Sequence, residues 1–224
     1  MADVKPIVVY GNGKLAELIL HAFADDPRYP FCAVAADARF ITDGRFAGLP
    51  VVPFETLEQS HPPADADLVV AVGYARMRER RAMFERAKAK GYRLASCVGR
   101  GARVYPDLVT GENAVVFDFA YVGPGVRLGA NTVVRPQSYV GHDGVIGDHV
   151  VISPAVTLGG RCRVGMLSFL GIGSTVLDRL SVAEECLIGA GALVVEDTQP
   201  FGCYIGQPAK RVRDLRETGI VVES

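Results

Sequence analysis

Aliphatic side chains recur at every sixth position through the later part of this chain. The series runs from Val104 to Val194, and only Thr110 departs from it, with no insertion that shifts its phase. A period of six matches neither the repeat of a helix nor the alternation of a strand. Fixed hexapeptide repeats are typical of a parallel β-helix, in which three hexads form a coil of about eighteen residues. The pattern therefore predicts a left-handed parallel β-helix over residues 97–199, followed by a tail over residues 200–224.

Two more registers keep the phase of the aliphatic series. Glycine often follows the aliphatic residue, where we expect it to permit the backbone angles and the close approach of tight corners. Two positions before the aliphatic residue the side chain is usually small, as a narrow interior requires. Cys162 and Cys186 fall in this small register, so we interpret them as core residues and not as nucleophiles. The corner glycines are Gly123, Gly129, Gly141, Gly147, Gly159, Gly165, Gly171 and Gly189.

Residues 1–96 show a different pattern, in which short apolar strands alternate with amphipathic helices. The predicted helices cover residues 14–24 and 77–90, and Gly91 closes the second. This order predicts a small Rossmann-like α/β domain, with a parallel sheet that binds ligands at the carboxyl ends of its strands. The predicted strands are Pro6–Tyr10, Phe31–Ala35, Val51–Val52 and Leu68–Val72.

Three of these strand ends carry residues that suit a nucleotide. In the first turn, Gly11 and Gly13 could present backbone N–H groups and the start of a helix to a phosphate. Asp37 follows the second strand and could accept a hydrogen bond from a sugar or a base, and Gly73 follows the fourth. A plain structural turn explains the glycines equally well, because the third glycine of a dinucleotide fingerprint is absent. An NAD-dependent oxidoreductase is disfavoured, since nothing downstream supplies a hydride-transfer domain.

The composition narrows the possible classes of function. The formal net charge is −1 and charged residues make up 22% of the chain, so we do not expect binding to nucleic acid or to a membrane surface. The longest apolar runs are too short to span a bilayer, and the first residues do not resemble a signal peptide. The five cysteines form no CxxC pair and are interpreted as reduced thiols. We therefore expect a cytoplasmic enzyme with a substantial hydrophobic core.

The histidines are the remaining candidates for acid–base chemistry. His21 and His61 are interpreted as structural or solvated residues, and His149 as a solvent or interface residue. His142 lies two positions after an inward aliphatic residue, so its side chain should point out of the β-helix, and Asp143 follows it. Two histidines of the repeat without converging spacing do not predict a metal site. Because three packed copies would bury the flat faces of a β-helix well, we expect a homotrimer.

Several segments of the repeat together resemble the bacterial hexapeptide-repeat sugar O/N-acyltransferases. This family includes sialic acid O-acetyltransferases and N-acetyltransferases of nucleotide-linked amino sugars, and the resemblance extends to the small α/β domain before the repeat. The segments are His142–Asp148, Thr157–Gly160, Phe169–Gly171, Leu187–Ala192 and Ile205–Lys210.

The resemblance implies an active site between subunits of the trimer, with acetyl-CoA in the groove between two β-helices. His142 would be the general base, Asp143 would orient it, and the N–H of Gly160 would bind the thioester oxygen. The residues that would contact acetyl-CoA are Gly160, Gly171, Gly189, Ala190, Lys210 and Arg211. The residues that would hold the nucleotide part of the sugar are Gly11, Gly13, Asp37 and Gly73.

The leading hypothesis is acetyl-CoA-dependent N-acetylation of a nucleotide-linked 4-amino-4,6-dideoxy sugar, for a surface glycan such as an O-antigen or lipopolysaccharide. A dedicated nucleotide-binding domain favours that acceptor. O-acetylation of a sugar, as in the sialic acid O-acetyltransferases, is the first alternative. A non-catalytic β-helix that serves as a binding or assembly module is the alternative from another class.

Overall fold

The computed structural model of the protein describes residues 4–222, and the chain divides into two compact units. The first unit comprises the chain up to Gly73 together with Ala82–Cys97. The second comprises Tyr74–Arg81 together with the chain from Val98 onward. The segment Tyr74–Arg81, which the sequence pattern placed in the first domain, therefore belongs to the second unit.

The first unit is built on a sheet whose strands are mostly parallel. The elements of this part of the chain are β1 (Ile7–Tyr10), α1 (Lys14–Phe23), β2 (Phe31–Ala36), β3 (Arg45–Phe46), β4 (Leu49–Pro53), α2 (Leu57–Ser60), β5 (Asp67–Val70) and α3 (Met77–Ala89). The strand order is β3-β4-β2-β1-β5, in which only β3 is antiparallel to its neighbour. The four predicted strands are present with small shifts at their ends, whereas β3 and α2 were not predicted.

The central strands and the first helix form the core of this unit. Val8 and Val34 on β1 and β2 are fully buried. The helix α1 buries one face through Leu15, Ile19 and Phe23, which recur every fourth residue. This packing fixes the start of α1 directly after the glycine turn that ends β1.

The second unit is a parallel β-helix of two-residue strands. Each strand pairs with the strand eighteen residues further along, as Tyr139 does with Thr157 and Thr157 with Thr175. After β6 (Cys97–Val98), which spans the boundary between the units, the strands are β7 (Val109–Thr110), β8 (Val115–Val116), β9 (Tyr121–Val122), β10 (Arg127–Leu128), β11 (Val133–Val134), β12 (Tyr139–Val140), β13 (Val145–Ile146), β14 (Val151–Ile152), β15 (Thr157–Leu158), β16 (Arg163–Val164), β17 (Phe169–Leu170), β18 (Thr175–Val176), β19 (Ser181–Val182), β20 (Leu187–Ile188) and β21 (Leu193–Val194). Consecutive strands fall in turn into three parallel sheets, which fits a left-handed parallel β-helix.

The interior of the β-helix follows the two registers that the sequence predicts. Aliphatic residues such as Val140 and Leu158 have no exposed surface, and burial of each is worth about 1.5–3 kcal/mol. The small register is buried as well, including Ser138, Cys162 and Cys186. The interpretation of the two cysteines as core residues is therefore confirmed.

The corner glycines allow neighbouring coils to approach each other closely, and they do not adopt unusual backbone angles. Positive φ angles lie three positions after the aliphatic residue, for example at Asp143 with φ 57°, and the glycines directly after the aliphatic residue do not share them. A Cβ atom built on Gly141 would lie 2.6 Å from the backbone N of Gly160 in the next coil. The expectation that these glycines supply special angles was wrong, and the expectation of close approach is confirmed.

The β-helix continues slightly past the point where the hexads end. Strand β22 (Gly202–Ile205) adds to the sheet that contains β20, in parallel register. Strand β23 (Lys210–Asp214) then pairs antiparallel with β22. The tail therefore extends one sheet before it turns back along its edge.

Candidate active site

His142 and Asp143 form a hydrogen-bonded pair in the turn between β12 and β13. Nδ1 of His142 lies 3.0 Å from Oδ2 of Asp143, and both side chains are about half exposed. The turn places His142 two positions after the buried Val140, so its ring points out of the β-helix, as the phase of the repeat predicts. With Nδ1 held by the carboxylate, Nε2 is the nitrogen that can exchange a proton with a substrate.

The Asp143 carboxylate is held in its charged form. The hydrogen bond with His142 lowers the pKa of Asp143 below its ordinary value, and Arg161 lowers it further. Nε of Arg161 lies 3.6 Å from Oδ2 of Asp143. The carboxylate therefore remains ionised at neutral pH and can keep the imidazole in one orientation.

Gly160 lies one coil beyond His142, in the equivalent turn between β15 and β16. The N–H of Arg161 donates to the carbonyl of His142 at 2.7 Å, which stacks the two turns. A Cβ atom built on Gly160 would lie 2.5 Å from Nε2 of His142, too close for any side chain to fit without displacing the imidazole. His142, Asp143 and Gly160 therefore meet at one corner of the β-helix.

A carboxylate that sequence reasoning missed also reaches this corner. Asp178 lies in the turn between β18 and β19, and its Oδ1 accepts a hydrogen bond of 2.5 Å from the N–H of Gly160. That N–H is the group expected to bind the thioester oxygen, so it already has an acceptor here. The eighteen-residue spacing from His142 to Gly160 to Asp178 is the signal that could have found it, because positions one coil apart stack.

A cavity of about 390 Å³ opens at the same corner. Its lining residues are His142, Gly160, Arg161, Asp178 and Arg179. Sequence reasoning missed both arginines as well as the aspartate. The cavity thus combines a potential proton acceptor, a carboxylate and two guanidinium groups, which suits a polar nucleophile more than an apolar ligand.

The glycines expected along acetyl-CoA lie at a different corner of the same chain. Gly171 follows β17, and Gly189 and Ala190 follow β20, so these residues lie at the corner where the chain enters the sheet of β18 and β21. Gly160 follows β15, which belongs to that same sheet, so it lies at the corner where the chain leaves the sheet. Within that corner the residues are close, since a Cβ atom on Gly171 would lie 2.6 Å from the N of Ala190. A single chain does not bring this group to His142.

The first unit gathers its predicted residues around a smaller cavity of about 220 Å³. Gly11, Gly13, Asp37 and Gly73 all line it, at the carboxyl ends of the parallel strands. Gly11 has a φ of 132°, and a Cβ atom there would lie 2.7 Å from the carbonyl oxygen of Ala71. A larger residue at this turn would therefore push apart two neighbouring strand ends.

Asp37 is the charged group of this cavity, and it is largely buried. Its Oδ1 accepts a hydrogen bond from the Tyr10 hydroxyl at 2.9 Å, and its Oδ2 accepts one from Arg86 at 3.1 Å. Burial alone would raise the pKa of Asp37, but the hydrogen bonds from Arg86 and Tyr10 outweigh it and the pKa is lowered. Tyr10 and Arg86 therefore already use part of the hydrogen-bond acceptor capacity that we expected Asp37 to offer to a ligand.

No family model matches the chain. The acetyltransferase domain of PglB from Neisseria gonorrhoeae is similar to it at 30% identity over 93% of this chain and 100% of that domain, with a TM-score of 0.84. The chain belongs to the bacterial hexapeptide-repeat sugar acyltransferases. It is thus an acyltransferase, and a purely structural β-helix module is not its class. The same PglB domain has been solved with acetyl coenzyme A, at 29% identity over 94% of this chain and all of that domain, with a TM-score of 0.84.

The perosamine N-acetyltransferase of Caulobacter crescentus has the same fold. A histidine-to-asparagine mutant of it, solved with CoA and GDP-perosamine, is 24% identical over 95% of this chain and 99% of that chain, with a TM-score of 0.86.

The basic residues expected at the coenzyme phosphates of this acyltransferase are engaged with acidic neighbours. Lys210 and Arg211 both lie on β23 and are exposed. Nζ of Lys210 lies 3.3 Å from Oε1 of Glu196, and Nη2 of Arg211 lies 2.9 Å from Oδ2 of Asp214. A phosphate would have to compete with these carboxylates.

His149 is not a solvent or interface residue of the acyltransferase chain, as the sequence suggested. Its side chain is buried, and its Nδ1 lies 3.0 Å from Nδ2 of Asn131. Oδ1 of Asn131 in turn accepts hydrogen bonds from Asn113 at 2.8 Å and from Arg80 at 2.7 Å. The reason is the corner at which His149 lies, since the residues one coil away on either side, Asn131 and Leu167, are buried as well, whereas Asp143 at the equivalent position of another corner is about half exposed.

Two kinds of feature are absent from residues 4–222. No group of three or more histidine, cysteine, aspartate or glutamate side chains is placed to hold a metal ion in that range. Nor does any helix there have the length and apolar character that crossing a membrane requires.

Proposed function

We propose that this acyltransferase transfers the acetyl group of acetyl-CoA to the amine of a nucleotide-linked 4-amino-4,6-dideoxy sugar. The reaction would serve the synthesis of a surface glycan in the cytoplasm. The observation that carries the proposal is the corner at which the His142–Asp143 pair meets Gly160, with Nε2 of His142 directed at the place where a side chain of residue 160 would begin.

His142 acts as the general base in this proposal. Nε2 removes a proton from the attacking nitrogen, while Asp143 accepts a hydrogen bond from Nδ1 and stabilises the imidazolium that forms. The N–H of Gly160 then donates to the oxyanion, a contribution of roughly 3 kcal/mol for one such donor. Because Asp178 now occupies that N–H, its carboxylate must move away before the thioester oxygen can bind.

Acetyl-CoA is the donor that the related PglB domain supports, since that domain has been solved with acetyl coenzyme A. We propose that Gly160, Gly171, Gly189 and Ala190 line its path. Gly160 lies on one edge of the β-helix and the other three on another edge. Both edges can line one groove only when two copies of the chain contribute, which supports a homotrimer with active sites between subunits.

The far end of the coenzyme would reach the tail of the chain. Lys210 and Arg211 would hold its phosphates, after exchange of their present partners Glu196 and Asp214.

The first unit serves as a Rossmann-like domain for the nucleotide in this proposal. Gly11 and Gly13 lie between β1 and the start of α1, where backbone N–H groups can bind a phosphate. Asp37 and Gly73 line the same cavity and would contact the ribose or the base. The Caulobacter perosamine N-acetyltransferase, which shares the fold, has been solved with GDP-perosamine, an amino sugar on a nucleotide.

A thiol-release assay tests the proposed function. The protein is incubated with acetyl-CoA and UDP-, GDP- or dTDP-linked 4-amino-4,6-dideoxy sugars, each beside its 4-hydroxyl counterpart. We expect release of CoA with an amino sugar and a product heavier by one acetyl group on nitrogen. Release with hydroxyl sugars alone would replace the proposal by O-acetylation.

A further inference from the structure

Asp178 makes a contact that a second aspartate repeats elsewhere in the β-helix. Oδ1 of Asp148 accepts a hydrogen bond from the N–H of Ala130 at 2.7 Å, again across eighteen residues. Both aspartates are exposed and lie two positions after a buried aliphatic residue. Asp148 lies at a corner without any of the proposed catalytic residues, so the contact in itself is a structural feature of β-helix corners. What distinguishes Asp178 is its place beside His142.

The N–H of Gly160 cannot serve Asp178 and the thioester oxygen together. A backbone N–H donates one strong hydrogen bond, and the carboxylate now takes it at 2.5 Å. A carboxylate left in place would also repel the negative charge that develops on the oxyanion. The proposed reaction therefore needs a second partner that attracts Asp178 away from Gly160.

The charges in the cavity indicate what this partner is. Among the described residues that line the cavity, Asp178 alone is acidic, and Arg161 and Arg179 are both basic. The nearby Asp143 carboxylate is engaged with His142 and Arg161, so Asp178 is the lining carboxylate that can attract a cation into the cavity. An amino group on a sugar can take up a proton as the lysine side chain does, and its ammonium form can then donate to a carboxylate, which a hydroxyl group cannot do as a cation. A carboxylate binds an ammonium through charge-assisted hydrogen bonds, whereas a hydroxyl group gains far less from that charge.

We infer that Asp178 is a specificity-determining residue that binds the ammonium group of the acceptor sugar. This inference rests on the proposed function and names the group that selects an amine over a hydroxyl. The ammonium draws the carboxylate away from Gly160, and the freed N–H receives the thioester oxygen. Binding of the correct acceptor and completion of the oxyanion site are thereby coupled.

The protons and bonds of the step balance. The ammonium held by Asp178 gives one proton to Nε2 of His142, and the neutral amine attacks the thioester carbon to form the C–N bond. The C–S bond then breaks with its electron pair on sulfur, and the thiolate takes the proton from His142. The nitrogen loses a second proton to solvent and keeps the third as the amide N–H.

The test compares Asp178→Asn with the matched control Asp148→Asn in the full chain. The new amide oxygen can still accept the hydrogen bond from the N–H of Gly160 in the first variant and of Ala130 in the second, so both variants should fold. The apparent Tm of each variant is measured to check this. KM and kcat are measured for acetyl-CoA and for the amino sugar that the wild type acetylates in the panel of UDP-, GDP- and dTDP-linked sugars.

We expect Asp178→Asn to raise the KM for the amino sugar by about tenfold or more, the range of a hydrogen bond to a charged group, without raising the KM for acetyl-CoA. Asp148→Asn should leave the KM for the amino sugar and the KM for acetyl-CoA unchanged. Equal KM values for the amino sugar in the two variants and the wild type would overturn the inference while the proposed function stands. A wild type that acetylates no amine would overturn the proposed function and this inference with it.

Discussion

Nε2 of His142 lies 2.5 Å from the point where a side chain on Gly160 would begin. The two residues are one coil apart, so the eighteen-residue repeat itself brings the proposed base against the proposed oxyanion donor. Gly160 would thus serve the proposed mechanism in two ways, since its N–H would donate to the oxyanion and its missing side chain leaves room for the imidazole.

Gly160→Ala should therefore impair catalysis through His142. The added methyl group cannot share the space of the imidazole, and we expect kcat to fall by about 10²-fold or more, the lower range for loss of a general base. Steady-state thiol release measures the effect. The double variant with His142→Ala provides the control, because two changes that act through one group are not additive. If Gly160→Ala lowers kcat as strongly in the His142→Ala background, the contact between the two residues is not the cause.

The corner glycines lead to a prediction about stability. Gly147→Ala would place a Cβ atom 2.8 Å from the backbone N of Met166, and overpacking of this kind costs about 1–3 kcal/mol. Gly173 has a φ of 67° and open space around its Cβ position, and Asn131 has a similar positive φ of 55° three places after its own aliphatic residue. Gly173→Asn should thus leave the apparent Tm nearly unchanged at equal protein concentration. A larger loss from Gly173→Asn than from Gly147→Ala would mean that backbone angles and not coil spacing limit these corners.

The hexad period was sufficient to predict the core of the β-helix and the outward direction of His142. Both follow from the position of a residue within its hexad, and in a long repeat without insertions that position can be read directly from the sequence. The contact of Asp178 was not predicted, because its hydrogen bond from Gly160 depends on which polar side chain stacks one coil away. His149 shows the same limit, since its ring is buried beside Asn131 of the neighbouring coil, while Asp143 at the equivalent place of another corner is exposed.

In the first unit, the sequence pattern predicted the strands but not the side-chain contacts between distant elements. Alternation of apolar runs and glycines predicted the strands that carry Gly11, Asp37 and Gly73 to one cavity. The partners of Asp37 could not be predicted, because Arg86 lies on α3, far along the chain, and its approach is a tertiary contact.

Asp37 should make the stability of the protein depend on pH. The pKa of Asp37 is lowered in the folded state, so the carboxylate contributes stability above the unfolded pKa of about 3.9, and this contribution is lost as the pH falls through the folded value. Asp37→Asn should therefore lower the apparent Tm at pH 7, and the difference from the wild type should shrink at pH 3. Asp25→Asn, which alters an exposed carboxylate, is the control. A difference of equal size at both pH values would show that lost packing and not charge explains the effect.

The proposed mechanism is tested most sharply by the kcat of His142→Ala with acetyl-CoA and the amino sugar that the wild type acetylates, measured together with the Kd of acetyl-CoA by calorimetry. His21→Ala, which alters a histidine whose side chain is 73% exposed, is the control and should match the wild type. We predict that His142→Ala loses about 10²–10⁴-fold in kcat and binds acetyl-CoA as the wild type does. If His142→Ala acetylated the amino sugar at the wild-type rate, His142 would not be the general base and the proposed mechanism would be wrong.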